Sequence, residues 1–395
     1  MRVIISGGGI GGLTAALCSL HFGHEVIVLE RAPQLGEVGA GIQVPPNAMK
    51  VFEALGVAHM FDDFGFRPDS IEARMGKSGL HLFSIPLSET AVKRWGAPYF
   101  HIHRADYILL LEQALRDRAH SCLRLGSDVI GYSQTAAGVA ALLADGSQVQ
   151  GDVLIGADGI HSPTRAQMLG PDKPHFTGNV AWRAVVPIER LGALAPNPTA
   201  CAWMGRGGHC VTYRLRGGTL ANLVAVIERD DWMSESWTEQ GSREEALAEF
   251  GDWHATIRAI IENADAHYRW ALFDRAPFDT WVDGRVALLG DAAHPMLPFM
   301  AQGAAMAAED AWVLAHELTQ DQGVNAALRT YQEKRHARAS RVQAGSRANA
   351  KTFHKRTLGS QLATYGPMWL AGKIAPNVVH KRQDPLYGYN VTETS

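Results

Sequence analysis

The first group of residues suited to chemistry is a glycine loop near the start of the chain. Gly7, Gly9 and Gly12 fit the pattern GxGxxG. In such a loop the first glycine permits a tight turn, the second lets the backbone approach a pyrophosphate, and the third lets the next helix pack on its strand. An apolar strand precedes the loop, a helix follows it, and Glu30 ends the next strand. The loop therefore predicts a dinucleotide site, with Glu30 on ribose hydroxyls and Arg31 beside the adenine or the phosphates.

Two later turns pair glycine with aspartate. Asp158 follows the buried strand in "VLIGADGIHSPTR", and Asp291 follows the strand in "VALLGDAAHP". Ligands of doubly wound sheets bind at the carboxyl ends of the strands, where these turns lie. Either turn alone would be an ordinary loop with turn-forming residues. Together with the first loop they predict contacts to one extended dinucleotide.

These motifs resemble those of the flavoprotein aromatic hydroxylases of the p-hydroxybenzoate hydroxylase fold. The resemblance covers nearly the whole chain and rests on "GGGIGG" with Glu30, on "ADGIHSPTR" and on "GDAAHP". It implies bound FAD, with Asp291 on the ribityl chain and Arg104 on the ribityl chain or pyrophosphate. It also implies that the helix opening at Gly303 and Ala304 points its N-terminus at the flavin, where partial positive charge stabilises the reduced anion.

The resemblance also implies a reaction. NADH or NADPH reduces FAD, O2 adds at flavin C4a to give a hydroperoxide, and OH passes to an electron-rich ring. The segment "GEVGAGIQVPPNAMKVFEALG" is similar to that of the salicylate, 3-hydroxybenzoate and 6-hydroxynicotinate hydroxylases. The substrate is therefore predicted to be a monohydroxylated aromatic acid. The choice between NADH and NADPH stays open, and no second Rossmann loop is present to hold the nicotinamide cofactor.

Five residues are candidates for the substrate site. His209 and Tyr213 lie on one face of the strand "HCVTYRL" by period-two counting. On residue types alone, a buried pair satisfying the sheet is favoured; the resemblance instead makes His209 the candidate base for the phenol and Tyr213 a ligand of its carboxylate or phenol oxygen. The resemblance also makes Gln43 a pocket candidate and implies that Pro295 flanks the reactive edge of the flavin, although Pro295 could be simply a turn former. Phe299 departs from the salicylate and 6-hydroxynicotinate hydroxylases, which carry His there.

The elements that must position these residues predict an α/β fold. Apolar strands "RVIIS" and "EVIVLE" flank the first helix, residues 176–227 are rich in strands, and a long polar helix spans about 326–352. We expect a Rossmann-like FAD-binding domain with an inserted substrate domain on a mainly antiparallel β-sheet, plus C-terminal helices. The expected boundaries are 1–70, 100–170 and 277–345 for the FAD-binding domain, 71–99 and 171–276 for the substrate domain, and 346–395 for the C-terminal helical segment.

Composition narrows the function classes. The 395 residues carry a formal net charge of −3 without a basic run, so a nucleic-acid partner is not expected. No apolar run approaches membrane-spanning length, and a cytoplasmic protein is expected. The four cysteines form no CxxC pair, and His101 and His103 have no third ligand nearby, so no metal site is expected. A homodimer is plausible from the family alone.

Three other functions stay open. One is a related FAD monooxygenase that acts on another ring or on an alkene, as an epoxidase does. A second is a non-catalytic flavin-binding ligand sensor, which an intact set of FAD motifs disfavours. A plain NAD dehydrogenase is the weakest, because it leaves Gly290 and Asp291 unexplained.

Overall fold

The computed structural model describes residues 1–36, 41–171, 174–229 and 239–393. The strands in these ranges are β1 Arg2–Ser6, β2 Glu25–Leu29, β3 Gly41–Val44, β4 Gly65–Phe66, β5 Ser70–Met75, β6 His81–Pro86, β7 Phe100–His103, β8 Leu123–Arg124, β9 Val129–Gln134, β10 Val139–Leu143, β11 Gln148–Gly151, β12 Val153–Gly156, β13 His175–Pro187, β14 Ala200–Gly205, β15 Gly208–Leu215, β16 Leu220–Glu228, β17 Gln240–Gly241, β18 His267–Asp274, β19 Val282–Asp283 and β20 Val286–Leu288.

Helices are concentrated towards the C-terminus of the chain. Those in the same described ranges are α1 Ile10–His21, α2 Pro46–Ala54, α3 Met60–Phe64, α4 Ser88–Trp95, α5 Arg104–Arg118, α6 Pro163–Leu169, α7 Arg243–Phe250, α8 Ala255–Asn263, α9 Gly303–Glu317, α10 Val324–Phe353, α11 Leu358–Ile374, α12 Pro376–Lys381 and α13 Asp384–Tyr387. None of these helices is long and apolar enough to cross a membrane. The same part of the chain contains no cluster of three or more potential metal ligands.

A six-stranded sheet ordered β19-β20-β12-β1-β2-β8 carries the glycine loop. β1 pairs in parallel with both β12 and β2, and only the edge strand β19 runs antiparallel. Val3, Ile4 and Ile5 have no exposed surface, because helices and the small sheet β11-β10-β9 cover both faces of β1. This apolar, doubly covered strand is typical of a parallel sheet. The predicted Rossmann-like part of the fold is confirmed.

An eight-stranded sheet ordered β17-β18-β13-β16-β15-β14-β5-β6 forms the second layer of the molecule. All its pairs are antiparallel except β14 with β5. On one face Trp182 and Trp203 pack against Phe250 of α7 and Ile257 of α8. The predicted mainly antiparallel sheet is therefore confirmed, whereas α8 was not predicted. The expected domain boundaries stay an interpretation of this architecture.

The longest helix, α10 Val324–Phe353, agrees closely with the helix predicted over about 326–352. α10 has 30 residues and runs without a break across positions 345 and 346, where a boundary between two segments is predicted. Its buried residues recur along one stripe that faces α9 and the loop before it, including Leu328, Tyr331, Arg335 and Val342. This continuous buried stripe explains the continuous helix. The predicted boundary between the FAD-binding domain and the C-terminal segment therefore falls inside one helix, and the division stays an interpretation.

A buried charge network fixes α9 against α10. The guanidinium of Arg335 lies 2.7 Å from Glu309 and 2.8 Å from Asp310, and all three side chains are fully buried. Nε2 of His294 lies 2.5 Å from the other oxygen of Asp310. Buried charges persist only when they are paired in this way. The network therefore fixes the start of α9 relative to the turn that carries Asp291.

Candidate active site

The glycine loop has the geometry predicted for phosphate binding. Gly7 has a φ of 104°, and a Cβ there would lie 2.5 Å from the carbonyl oxygen of Ala157. A Cβ at Gly12 would lie 2.0 Å from the carbonyl oxygen of Gly7, so neither position accepts a side chain. Gly9 differs, because no atom lies within 4 Å of the position its Cβ would take. Open space at the N-terminus of α1 fits an anionic pyrophosphate.

This contrast makes a prediction. Gly9→Ala should fold normally and bind FAD about 10- to 100-fold more weakly, because the methyl group occupies only space that the pyrophosphate needs. Gly12→Ala should instead reduce the yield of folded protein, because its methyl group meets backbone. Thermal unfolding of the FAD-free proteins and FAD titration separate the two effects. Unchanged FAD affinity in Gly9→Ala would remove the pyrophosphate from this loop.

Glu30 holds the glycine loop in shape. Its Oε2 accepts from the backbone N–H of Gly8 at 2.6 Å, and its Oε1 accepts from that of Ala32 at 2.8 Å. A carboxylate has further lone pairs, so these bonds leave room for a ribose hydroxyl. That contact stays a prediction. Arg31 is exposed beside it, and its contact with adenine or phosphate likewise stays a prediction.

Asp158 lies directly behind the loop. Its Oδ2 accepts from the hydroxyl of Thr164 at 2.6 Å and from the N–H of the same residue at 3.2 Å, which holds the start of α6. Its Oδ1 is buried and has no hydrogen-bond partner in the described part of the chain. A buried oxygen without a partner is costly unless a ligand or water satisfies it. The predicted cofactor contact of Asp158 fits this oxygen.

A groove of about 250 Å³ lies between the two large sheets and contains Asp291. Its walls include Gly41, Arg104, Arg183 and Trp270. The Asp291 carboxyl group opens onto the groove while protein surrounds its other sides. This burial raises its pKa, and the charges of His294, Arg104 and Arg165 oppose the rise.

The start of α9 lies beside Asp291, and its predicted contact with the flavin stays a prediction. A Cβ on Gly303 would lie 3.9 Å from Asp291 Oδ1, and both Gly303 and Ala304 are half-buried at this end of the helix. α9 has no acidic residue in its first turn and no side-chain cap, so no side chain of the helix competes for the N–H groups at its start. Hydrogen-bond acceptors, arginines and a helix N-terminus around one groove fit the ribityl chain and ring system of FAD.

A second cavity of about 460 Å³ adjoins the groove, and Pro298 lines both. The walls are mainly apolar, with Ile71, Phe83, Met204 and Phe353 among them. The polar residues on the walls include Gln43, Glu72, Tyr99, His209 and Asn349. A mainly apolar cavity with polar groups at several points of its wall is typical of a site for a small organic ligand.

Three of the five predicted substrate residues meet in this cavity. Gln43, His209 and Phe299 all line it, and the ring centroids of His209 and Phe299 are 4.9 Å apart. Oε1 of Gln43 accepts from the hydroxyl of Tyr99 at 2.6 Å, which fixes the amide orientation. Pro295 lines the groove instead of the cavity, on the side predicted for the flavin. Their contacts with a substrate remain predictions.

Tyr213 is placed differently from its prediction. It is buried against His101, with ring centroids 4.7 Å apart, and against the backbone of Gly41. It is not among the described residues that line the groove or the cavity. His209 and Tyr213 share a strand face but lie about 13 Å apart along it. This placement separates Tyr213 from the lining of the cavity, and its contact with a substrate stays a prediction.

Sequence reasoning missed the partners of His209. Nδ1 of His209 lies 2.7 Å from Nε2 of His354, and Nδ1 of His354 lies 3.3 Å from Oε1 of Glu228. Burial and the neighbouring His354 hold the pKa of His209 well below its ordinary value. Burial likewise lowers the pKa of His354, with Glu228 opposing the shift. His209 is therefore a neutral ring at neutral pH, able to accept a proton.

The C-terminal tail, residues 382–393, forms the outer wall of the cavity through Leu386 and Tyr387. The ammonium group of Lys50 donates to the carbonyl oxygens of residues 387–389 at 3.0–3.2 Å. Arg94 forms a bidentate pair with Asp384, both distances 2.7 Å. These contacts hold the tail in place, and no pattern in the sequence pointed to them because every partner is distant along the chain.

A nucleotide loop, a groove at the carboxyl ends of a parallel sheet and an adjoining, mainly apolar cavity are typical of a flavoprotein oxidoreductase. Residues 1–346 match the FAD binding domain family. The chain belongs to this family, and it is an FAD-dependent aromatic monooxygenase of the p-hydroxybenzoate hydroxylase fold that uses NAD(P)H and O2. The predicted class of enzyme and the predicted cofactor are confirmed.

Curated relatives and solved structures are similar over most of the chain. 3-Hydroxybenzoate 6-hydroxylase 1 of Aquipseudomonas alcaligenes is 38% identical over 392 residues, 99% of this chain and 98% of the relative. 6-Hydroxynicotinate 3-monooxygenase of Pseudomonas fluorescens is 37% identical over 88% of this chain and 91% of its own. The structure of Klebsiella pneumoniae HpxO with FAD and uric acid has a TM-score of 0.87 and 27% identity, covering 98% of this chain and 96% of that one. A salicylate hydroxylase substrate complex has a TM-score of 0.82 and 27% identity, covering 100% and 96%.

Proposed function

We propose that this chain hydroxylates the ring of a monohydroxylated aromatic acid of the 3-hydroxybenzoate type. The observation that carries the proposal is the cavity beside the groove, which the buried ring of His209 lines. Its volume of about 460 Å³ leaves room for a single aromatic ring with small substituents. The similarity to 3-hydroxybenzoate 6-hydroxylase 1 of Aquipseudomonas alcaligenes, which spans nearly all of both chains, supports this ring in preference to a pyridine.

The residues of the cavity would prepare the substrate for oxygen transfer. When bound, FAD would pass electrons from NAD(P)H to O2 and so activate one oxygen atom of O2 for transfer. His209 accepts the phenolic proton at Nε2, which raises the electron density of the ring. Phe299 packs against His209 and, with the neighbouring apolar walls, excludes water. Gln43, held by Tyr99, donates its amide N–H groups to an oxygen of the substrate.

Arginine side chains at the outer end of the cavity would attract the carboxylate. Arg341 and Arg382 both line this end, are exposed, and make no ion pair or hydrogen bond within the described ranges. An exposed pair of opposite charges is worth about 0.2–1 kcal/mol. The two guanidinium groups therefore favour acids over neutral phenols by a modest factor.

Arg341→Gln should raise the KM for the aromatic acid about 2- to 5-fold and leave kcat nearly unchanged. The difference from the wild-type enzyme should shrink as salt is added, because exposed charges are screened. Arg329→Gln is the matched control, since Arg329 is also exposed on α10 but lies about 18 Å away along the helix. A KM that stays the same in Arg341→Gln at low salt would exclude the contact.

A substrate panel tests the proposed function. NADH and NADPH oxidation by the FAD-loaded enzyme would be followed with 3-hydroxybenzoate, salicylate, 4-hydroxybenzoate and 6-hydroxynicotinate, and products identified by mass and ring position. We expect 3-hydroxybenzoate to stimulate oxidation most and to gain one oxygen. Stimulation with oxygen gain only on salicylate or 6-hydroxynicotinate would reassign the ring. No oxygen gain on any member would refute the proposal.

A further inference from the structure

We propose that His354 and Glu228 form a proton relay that connects His209 in the cavity to solvent. The proposal rests on the proposed function, because it assigns a destination to the proton that His209 accepts. Three side chains carry it, one from β15, one from the residue after α10 and one from the end of β16. His209 and His354 are almost fully buried, whereas the Glu228 side chain is 29% exposed.

Hydrogen bonding sets which nitrogen of each ring carries the proton. Two bonds from Arg356, of 2.6 and 2.7 Å, reach Oε2 of Glu228 and leave Oε1 for His354. A carboxylate only accepts, so Nδ1 of His354 donates and its Nε2 must accept. Nδ1 of His209 therefore donates to His354. The remaining nitrogen, Nε2 of His209, is an acceptor without a hydrogen-bond partner in the described part of the chain.

Among the described residues, the side chains around His209 offer its proton one path through protein groups, which runs through His354 to Glu228. The rings of Phe299 and Phe353 pack on it with centroids 4.9 and 5.0 Å away. His354 is the one ionisable group found to shift the pKa of His209 among the residues that the structure describes. Glu228 and Arg356 are the charged groups that act on His354. Apolar rings therefore pack around His209, and within the described residues its side chain has one hydrogen bond, which is to His354.

The relay transfers one proton without oxidation or reduction. The phenolic O–H bond breaks as the Nε2–H bond of His209 forms. The Nδ1–H bond of His209 breaks as the Nε2–H bond of His354 forms, and the Nδ1–H bond of His354 breaks as an O–H bond forms on Glu228. Glu228 then releases the proton to water. The reverse sequence returns a proton to the product and restores both rings to their starting tautomers.

His354 and Glu228 are positioning residues in this scheme, because they act through His209. Glu228→Gln is the sharpest variant, since the amide is nearly the same shape, can still accept from His354, and cannot take up the proton. His354→Phe removes the middle of the relay and retains an aromatic ring in an aromatic environment. His120→Phe is the control, because His120 is exposed in the turn that follows α5.

Proton release on substrate binding tests the relay directly. FAD-loaded enzyme would be mixed in a stopped-flow instrument with the acid that gains oxygen in the panel, 3-hydroxybenzoate first, in weak buffer with a pH indicator. We expect the wild-type enzyme and His120→Phe to release a proton rapidly. Glu228→Gln and His354→Phe should release it at least 10-fold more slowly, with unchanged FAD affinity.

The same experiment separates failure of the relay from failure of the proposed base. Wild-type rates in Glu228→Gln and His354→Phe, together with slow release in His209→Gln, would overturn the relay and leave His209 as the base. Wild-type rates in all three variants would overturn both assignments. If His354→Phe folds poorly, proton release by Glu228→Gln alone decides whether the relay exists. This variant is expected to fold, because the side chain at position 228 is partly exposed.

Discussion

Asp291→Ala is expected to yield a folded protein that loses FAD during purification. The carboxylate opens onto the groove beside the N-terminus of α9, the position predicted for the ribityl hydroxyls. A hydrogen bond to a charged group contributes about 1.5–3 kcal/mol, so FAD should bind about 10- to 100-fold more weakly. Fluorescence titration of the FAD-free protein measures this change.

The matched control is Asp279→Ala, which removes a fully exposed carboxylate from the segment between β18 and β19. Its affinity for FAD should equal that of the wild type. Equal FAD retention by Asp291→Ala and Asp279→Ala would rule out the ribityl contact. A folded Asp291→Ala protein with full absorbance at the flavin wavelengths would be enough to reach that conclusion.

His209→Gln is expected to lower the rate of product formation by about 100-fold or more while FAD stays bound. General-base catalysis contributes about 10²- to 10⁴-fold, and glutamine cannot accept the phenolic proton. NAD(P)H oxidation should fall less than hydroxylation, because reduced flavin still reacts with oxygen and releases peroxide. Product and peroxide are therefore both to be quantified against NAD(P)H consumed.

The pH dependence adds a second readout for His209. Burial lowers the pKa of this ring well below its ordinary value, so the ring stays neutral and active throughout the neutral range and loses activity only at acid pH. His209→Gln should abolish that acid limb of the kcat profile, whereas His120→Gln, at an exposed site, should retain it. Full coupling in His209→Gln would contradict its role as base.

The residues of the FAD site could be predicted because the sequence patterns that mark them are short and local. One βαβ unit contains Gly7, Gly9 and Glu30. Each of these residue types is needed at its position for a steric or hydrogen-bonding reason, so the short pattern can be recognised in the sequence. Asp158 and Asp291 follow apolar strands, which places them at one edge of a parallel sheet. The structure places both at this edge of the sheet. Asp158 also accepts a hydrogen bond from the hydroxyl of Thr164, which the sequence did not predict.

The residues of the predicted substrate cavity could be predicted only in part, because their contacts join segments that are distant along the chain. His209 and His354 are 145 positions apart, and His354 and Glu228 are 126 apart. No periodicity links residues at such separations. Strand periodicity correctly gives His209 and Tyr213 one face, but it carries no information on how far along that face the cavity extends. Tyr213 lies beyond its end, against His101.

Oxygen-isotope labelling is the most direct test of the central claim, that this chain transfers one atom of O2 to an aromatic acid in the cavity beside the flavin groove. The FAD-loaded enzyme would convert 3-hydroxybenzoate with NADH or NADPH under oxygen-18 gas in ordinary water. We predict a dihydroxylated acid in which the new oxygen is the heavy isotope, formed with one NAD(P)H consumed per product. NAD(P)H consumption that yields only peroxide, or a product whose new oxygen comes from water, would contradict the account.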